Sequence, residues 1–371
     1  MDFVKNGGSF LNGKIREILA DPARPRTLTV SGNYEIEETI LLPADFTLIL
    51  EDCHLRMAPG TFCNLLRNAG AGTSSADRPD RDIRVLGRGR AIFDGGEYNG
   101  LSERNSEKDG MPHISVNNLI LFANVDGFSI EGIRLVNQRW WAVNLLWCRR
   151  GLLRDVDFCA DDRHVEPDGT LAPYLSHREN GYAACHIHNA DGIDLRCGCH
   201  DILIDHVTGF TQDDTIALTG LPGKLESLFR PAGGEVSDDI YNVTIRNVCC
   251  EAFCSNIRLL NQGGVKLYNI LIDGMTDTSK NSPHMDRGIC GVRIGDNHLY
   301  GSRHSTFEET FNITVRNICS RAGCALRLAG CISGLRVENL FGFDGCGTLI
   351  ENEARLADAY FSPPKPDEAP I

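Results

Sequence analysis

The chain has 371 residues, 42% of them apolar and 23% charged, and 37 basic residues face 50 acidic ones for a formal net charge of −13. This composition supplies a large core and excludes a disordered chain, while the negative balance argues against a partner held by its phosphates. No run nears the roughly 18 consecutive apolar residues of a membrane helix, and there is no Walker A loop, H-E-x-x-H or G-x-S-x-G, so neither nucleic acid nor membrane is expected as a partner.

In chain order, Met1 to Pro25 lacks a continuous apolar segment of the signal-peptide kind, which predicts a cytoplasmic protein unless a leader has been removed. Residues 1–35 form a cap region, with a short helix over Gly13 to Ala20 that covers the open end of whatever follows. Residues 70–80 form a polar loop, and 361–371 form a Pro-rich tail with little means to pack. Everything from 1 to 360 is predicted to be one domain.

The strongest signal is internal repetition. Asn242-Val-Thr-Ile-Arg-Asn-Val-Cys249 returns as Asn312-Ile-Thr-Val-Arg-Asn-Ile-Cys319. The same apolar-x-apolar-x-x-apolar rhythm runs through Phe128 to Ile133, Ile202 to Val207, Ile270 to Met275 and Leu335 to Leu340, and Gly151 to Val156 keeps its later part. The central markers Ile130, Leu153, Ile204, Ile245, Ile272, Val315 and Val337 are spaced by 23, 51, 41, 27, 43 and 22 residues, which reads as single and doubled periods. Short β-branched strands with Gly, Asn and Asp turns at such a period predict an all-β protein, a single-stranded right-handed parallel β-helix with an N-terminal cap. The fifteen cysteines are odd in number and carry no C-x-x-C spacing, so they read as reduced, buried thiols. Cys249 and Cys319, equal in phase, are expected to line one interior stack. Asn242-x-Thr and Asn312-x-Thr match a glycosylation sequon but read as turn asparagines. A zinc site among Cys185, His186, His188, Cys197, Cys199 and His200 fits no common ligand spacing.

Two segments, Asn189-Ala-Asp-Gly-Ile-Asp-Leu195 and Gln212-Asp-Asp-Thr-Ile-Ala-Leu218, carry the chemistry. Asp191 to Asp214, Ile193 to Ile216 and Leu195 to Leu218 are each one 23-residue period apart, so the two should be neighbouring parallel strands about 4.7–4.9 Å apart. Asp191 then lies beside Asp214, with Asp213 one residue away. Crowded carboxylates repel and split into a protonated acid and an ionised base, the division of labour that glycoside hydrolysis needs. Strict alternation would turn Asp191 into the core with Ile193; Gly192 is the residue that lets the turn break it.

The same two segments resemble the N-T-D and G-D-D signatures of glycoside hydrolase family 28, the polygalacturonase family. Gly87 to Gly96 is similar to its I-x-G-x-G-x-I-D-G segment, and Val136 to Cys148 to its N-S-P-x-W-x-x-H-x-x-x-C rung, so the resemblance covers roughly residues 28–350. It implies the pectin-lyase-like right-handed β-helix, an inverting single displacement without metal or cofactor, Asp213 as general acid, and Asp191 and Asp214 holding the water. Two departures stand out. Ser255 or its neighbours occupy the place of the family's G-H-G histidine, and Arg293-Ile-Gly295 keeps the arginine of R-I-K but loses the lysine.

Arg258, Arg293 and Arg327 share an apolar-Arg-apolar pattern 35 and 34 residues apart, which predicts an outward ladder able to grip an acidic sugar by bidentate pairing, or else arginines paired with nearby Asp and Glu. His186 and His188, just before the Asp191 strand, and Trp141 are further candidates for substrate contact, and the insert Gly220 to Ser237 could wall a groove. The expected activity is hydrolysis of pectin-derived or other uronic-acid-containing oligosaccharides. A polysaccharide lyase or epimerase on the same fold, and a non-catalytic carbohydrate-binding β-helix of spike or adhesin type, are the alternatives.

Overall fold

The computed structural model describes residues 2–160, 189–297, 300 and 303–362. Across them the chain is the right-handed parallel β-helix that the repeats predict, every coil adding one strand to each of two parallel sheets. The long sheet runs from Thr27–Ile36 to Arg355–Ala357, and the short sheet from Ile40–Leu42 to Thr348–Asn352.

The apolar-x-apolar-x-x-apolar rhythm has a backbone cause. From Val125–Val136 to Cys331–Gly342 each long strand is bent at two left-handed residues. One row of them, Gly127, Arg150, Asp201, Asn242, Asn269, Asn312 and Gly334, has φ between 53° and 87°; the next, Gly132, Asp155, His206, Asn247, Gly274, Asn317 and Asn339, has φ between 51° and 89°. Only Gly, Asn and Asp take this region readily. The corner resets the alternation, so Ile245 and Val248, three residues apart, both face the core. The first row is tied by side-chain bonds: Asn242 donates to Asp201 (2.8 Å) and Asn269 to Asn242 (3.1 Å). The asparagines of both sequon-like triplets are therefore corner residues.

The marker residues pair directly, Ile130 with Leu153, then Ile204, Ile245, Ile272, Val315 and Val337. The 51-, 41- and 43-residue intervals are thus single coils carrying insertions, not doubled periods. The 41-residue interval, for example, carries a six-residue helix, Lys224–Phe229. The corner also corrects the cysteine stack. Cys249 and Cys319 do share a row, through Thr276, but the row is not one interior stack: Cys319 is buried while Thr276 and Cys249 are exposed, and it is Cys250, the neighbour of Cys249, that turns into the core. The fourteen described cysteines are all free.

The cap helix is longer than predicted, Gly7–Ala20 rather than Gly13 to Ala20. Its first turn lies so tight on the first coil that a Cβ on Gly8 would stand 2.3 Å from the Glu38 carbonyl oxygen. Leu11, Ile15 and Ile18 close the apolar end of the coil, and Asn12 bonds the edge backbone at Thr39 and Leu41. At the other end, Tyr360–Phe361 still pairs with Arg336 and Val337, so Phe361 belongs to the sheet and not to the tail. No helix among the described residues is long and apolar enough to cross a membrane.

Outside the long sheet one row alternates strictly in sign: Glu131, Arg154, Asp205, Arg246, Asp273, Arg316, Glu338. Arg246 bonds Asp205 at 2.8 Å and Arg316 bonds Asp273 at 2.7 Å. Each exposed pair contributes little, about 0–1 kcal/mol, but the alternation opposes any coil being skipped.

The corner makes a test. Asn317→Val should lower stability by about 1–2 kcal/mol more than Asn317→Gly, since both lose the bond to Asp273 but only valine resists positive φ. Urea unfolding followed by circular dichroism compares the two; equal midpoints would remove the corner as the cause of the bend.

Candidate functional site

The predicted register holds: Ile193 pairs with Ile216 and Leu195 with Leu218. One turn earlier, Ala142 N–H donates to the Asp191 carbonyl and Gly192 N–H to the Asp214 carbonyl, so the chain stacks Trp141, Asp191 and Asp214 on successive coils. Gly192 has no Cβ to spare here, because one would lie 2.4 Å from the Thr215 carbonyl oxygen. The Thr211 hydroxyl, 2.9 Å from that of Thr215, ties the turn that presents Asp213 and Asp214.

Asp191, Asp213 and Asp214 come together, all buried, and a fourth carboxylate that sequence reasoning passed over, Asp194, joins them. Its signal was present, since it lies in the same D-G-I-D segment and faces outward opposite Ala217. Burial first, and then the charges of Asp194, Asp213 and Asp214, push the Asp191 carboxyl well above its ordinary range, against the pull of Arg258. Asp194 is pushed up by burial and by Asp214 and Asp213, with Arg196 opposing. Asp191 Oδ1, Asp194 Oδ2 and Asp214 Oδ1 are buried without a hydrogen-bond partner in the protein. Such oxygens are rare in folded proteins and belong at sites that bind or react. The four carboxyls therefore titrate together, and the cluster takes up its first protons more readily than isolated aspartates do.

Cys254, at the head of the next strand, was also missed. Its thiol donates to Asp213, and burial followed by the charges of Asp213 and Asp214 pushes it well up, so it stays protonated. Ser255, on the same coil, accepts the Thr215 N–H at its carbonyl and is buried.

Arg258, Arg293 and Arg327 do form the outward ladder, in direct register, continuing a row that includes Asn144, Asp194 and Ala217 and ends at Glu351. Each is committed to a carboxylate. Arg258 bridges Asp214 (3.2 Å) and Asp296 (3.3 Å), Arg293 reaches Asp296 (3.0 Å) and Arg327 reaches Glu351 (2.7 Å). Despite its burial, Arg258 is held charged by Asp214 and its other acidic neighbours.

On the other flank, a cleft of about 330 Å³ is lined by Glu103, His113, Trp140, Trp141, Arg196 and Glu226, among others. Trp141 is 8% exposed. Trp140 stacks on it with centroids 3.9 Å apart, and the Arg196 guanidinium sits over its ring at 4.9 Å, so the ring is covered and presents only an edge. The insert after Gly220 does wall this cleft: Glu226 from its helix accepts from Arg196 at 2.6 Å, and Lys224 pairs with Glu107. His186 and His188 lie outside the described residues. No group of three or more His, Cys, Asp or Glu fit to hold a metal ion occurs among the described residues.

No protein-family model matches this chain, and no curated protein does. Solved structures do. A polygalacturonase from Erwinia carotovora ssp. carotovora is 12% identical, with 97% of this chain and 90% of that chain covered at a TM-score of 0.51. A tailspike protein mutant of E. coli bacteriophage HK620 in complex with pentasaccharide is 13% identical, at a TM-score of 0.59 over 96% of this chain and 62% of its own. A hyperthermoactive exopolygalacturonase from Thermotoga maritima is 12% identical, covering 95% of this chain and 88% of that one at 0.49. At such identities the likeness is one of fold, the right-handed parallel β-helix, and does not extend to membership of the polygalacturonase family.

The crowding predicts a pH dependence. Asp191 is raised in the folded state above the roughly 3.9 of an unfolded aspartate, so the folded protein holds the extra proton and stability falls as pH rises through that window. Asp191→Asn removes this loss. Its urea midpoint should exceed the wild type's at pH 8, with the gap closing as pH falls towards 4; a gap that is absent or reversed would show the carboxylate to be accommodated without strain.

Proposed function

We propose that this chain is a glycoside hydrolase acting on an oligosaccharide laid across the four-aspartate cluster. The observation that carries the reading is the cluster itself: four buried carboxylates on adjacent coils, three with an unpartnered oxygen, and two raised above the ordinary range by burial and by their neighbours' charges. Hydrolysis of an acetal needs both forms at once, a proton for the leaving oxygen and a base for water. In this reading Asp213 protonates the leaving oxygen with a proton drawn from the raised Asp191 and Asp194. Asp214, paired with Arg258, activates the water, and Asp191 positions it. Asp194 keeps the proton within the cluster. Attack by that water inverts the anomeric carbon.

A non-catalytic carbohydrate-binding β-helix is the competing reading, favoured by the fold's likeness to a tailspike protein crystallised with a pentasaccharide. Product release separates the two. Incubation with a panel of oligogalacturonides, rhamnogalacturonan fragments and neutral oligosaccharides should give new reducing ends, with inverted anomers by NMR at early times. Asp213→Asn should lower the rate by about 10²–10⁴-fold, as loss of a general acid does. Ultraviolet-absorbing products would identify a lyase, and tight binding without turnover would identify the binding protein.

A further inference from the structure

Every cation of the described residues that borders the cluster is already spent. Arg258 and Arg293 converge on Asp296, whose side chain is 2% exposed, and Arg258 also holds Asp214, 1% exposed. Arg327 is taken by Glu351 and Arg196 by Glu226. For a ligand carboxylate to be received, one of these guanidinium groups must leave a carboxylate it already has, and at Asp296, Asp214 or Glu226 that carboxylate is buried and would be stranded. The uronate would also enter beside four crowded carboxylates, and whatever ionised charge they keep repels it.

The unsatisfied atoms point the same way. Asp191 Oδ1, Asp194 Oδ2 and Asp214 Oδ1 are acceptors, which call for ligand donors such as sugar hydroxyls or amides. The unpartnered donors on this flank, Arg258 Nε and Arg293 Nε, belong to guanidinium groups whose two charges Asp214 and Asp296 together already answer. We infer that the sugar units meeting this cluster are uncharged, hydroxyl- or amide-bearing hexoses rather than uronates, and that the arginine ladder is a scaffold for the aspartates instead of a carboxylate receptor. This rests on the proposed saccharide site and departs from the acidic sugar that the arginine spacing alone predicts.

The test uses the full chain and its Asp213→Asn variant, so that binding is read with and without turnover. An array of neutral and uronate-bearing oligosaccharides is joined by a matched pair, oligogalacturonides and the same oligomers after reduction of their carboxyl groups to alcohols. Neutral members should bind at least about tenfold tighter than their uronate counterparts, and any residual uronate binding should strengthen with added salt as repulsion is screened. Tighter binding or faster cleavage of uronates overturns the inference while leaving the hydrolase reading intact. Neutral binding without hydrolysis does the opposite, and binding to neither class counts against both. Asp296→Asn frees Arg293 and one contact of Arg258 and should move the preference towards uronates by about tenfold. Because Asp296 is buried, Glu351→Gln, which frees the more exposed Arg327, provides a folded control expected to shift it in the same direction. A preference unmoved by both substitutions would show that ion pairing does not set it.

Discussion

The structure depends on one backbone constraint, the pair of left-handed corners in each coil. Without them a strand of this length would alternate strictly and bury only every second side chain. With them, residues i and i+3 on either side of a corner both enter the core, and the chain turns enough to close the coil. The corner positions must therefore be Gly, Asn, Asp or an occasional tolerated residue such as His206, and the asparagines repay the strain by bonding one another along the helix axis. Everything else is stacked on that lattice. Residues of equal phase are brought to neighbouring-strand distance whether or not they attract, which is why apolar columns, aromatic stacks and an alternating charge row all run parallel to the axis.

The same stacking creates the site. Two short strands in register put Asp191 next to Asp214, and Asp194 and Asp213 follow from their places in the same turns. Four buried carboxylates so close are unfavourable by any account of electrostatics, and a fold optimised for stability alone would not assemble them. Arg258 answers part of the repulsion, Cys254 supplies a neutral donor and protonation answers the rest. The arginine ladder thus takes its meaning from the aspartates one coil away, and its spacing taken alone points to a different use.

Much of this was legible in the sequence because a solenoid writes its register as arithmetic. A common offset of 23 residues between Asp191 and Asp214, Ile193 and Ile216, and Leu195 and Leu218 was sufficient to pair two strands correctly. Four features were not legible, each for a physical reason. Insertions loop out without disturbing the lattice, so interval lengths do not count coils, and 51, 41 and 43 residues each span one. A left-handed corner resets facing within a strand, so equal phase placed Cys249 and Cys319 in one row but could not say that the row was no interior stack. Asp296, which decides the arginines' role, follows its strand in a turn where no periodicity reports position. Trp141, although next to the cluster, is covered by its sequence neighbour Trp140 and by Arg196 from the next coil, contacts that composition does not reveal.

Lattice and insertion therefore divide the work of the molecule. The lattice fixes what must be exact, the spacing of the aspartates, because strand register leaves them no freedom. The insertions supply what can vary, as the Lys224–Phe229 helix shows when it carries Glu226 to Arg196 and closes one flank of the cleft. If the proposed saccharide site is correct, a chain built this way can change its glycan by altering walls and ion pairs while leaving the carboxylate cluster in place. It also follows that the aspartates alone do not identify the sugar. That information lies in which nearby charges are already neutralised, and here the arginines nearest the aspartates are.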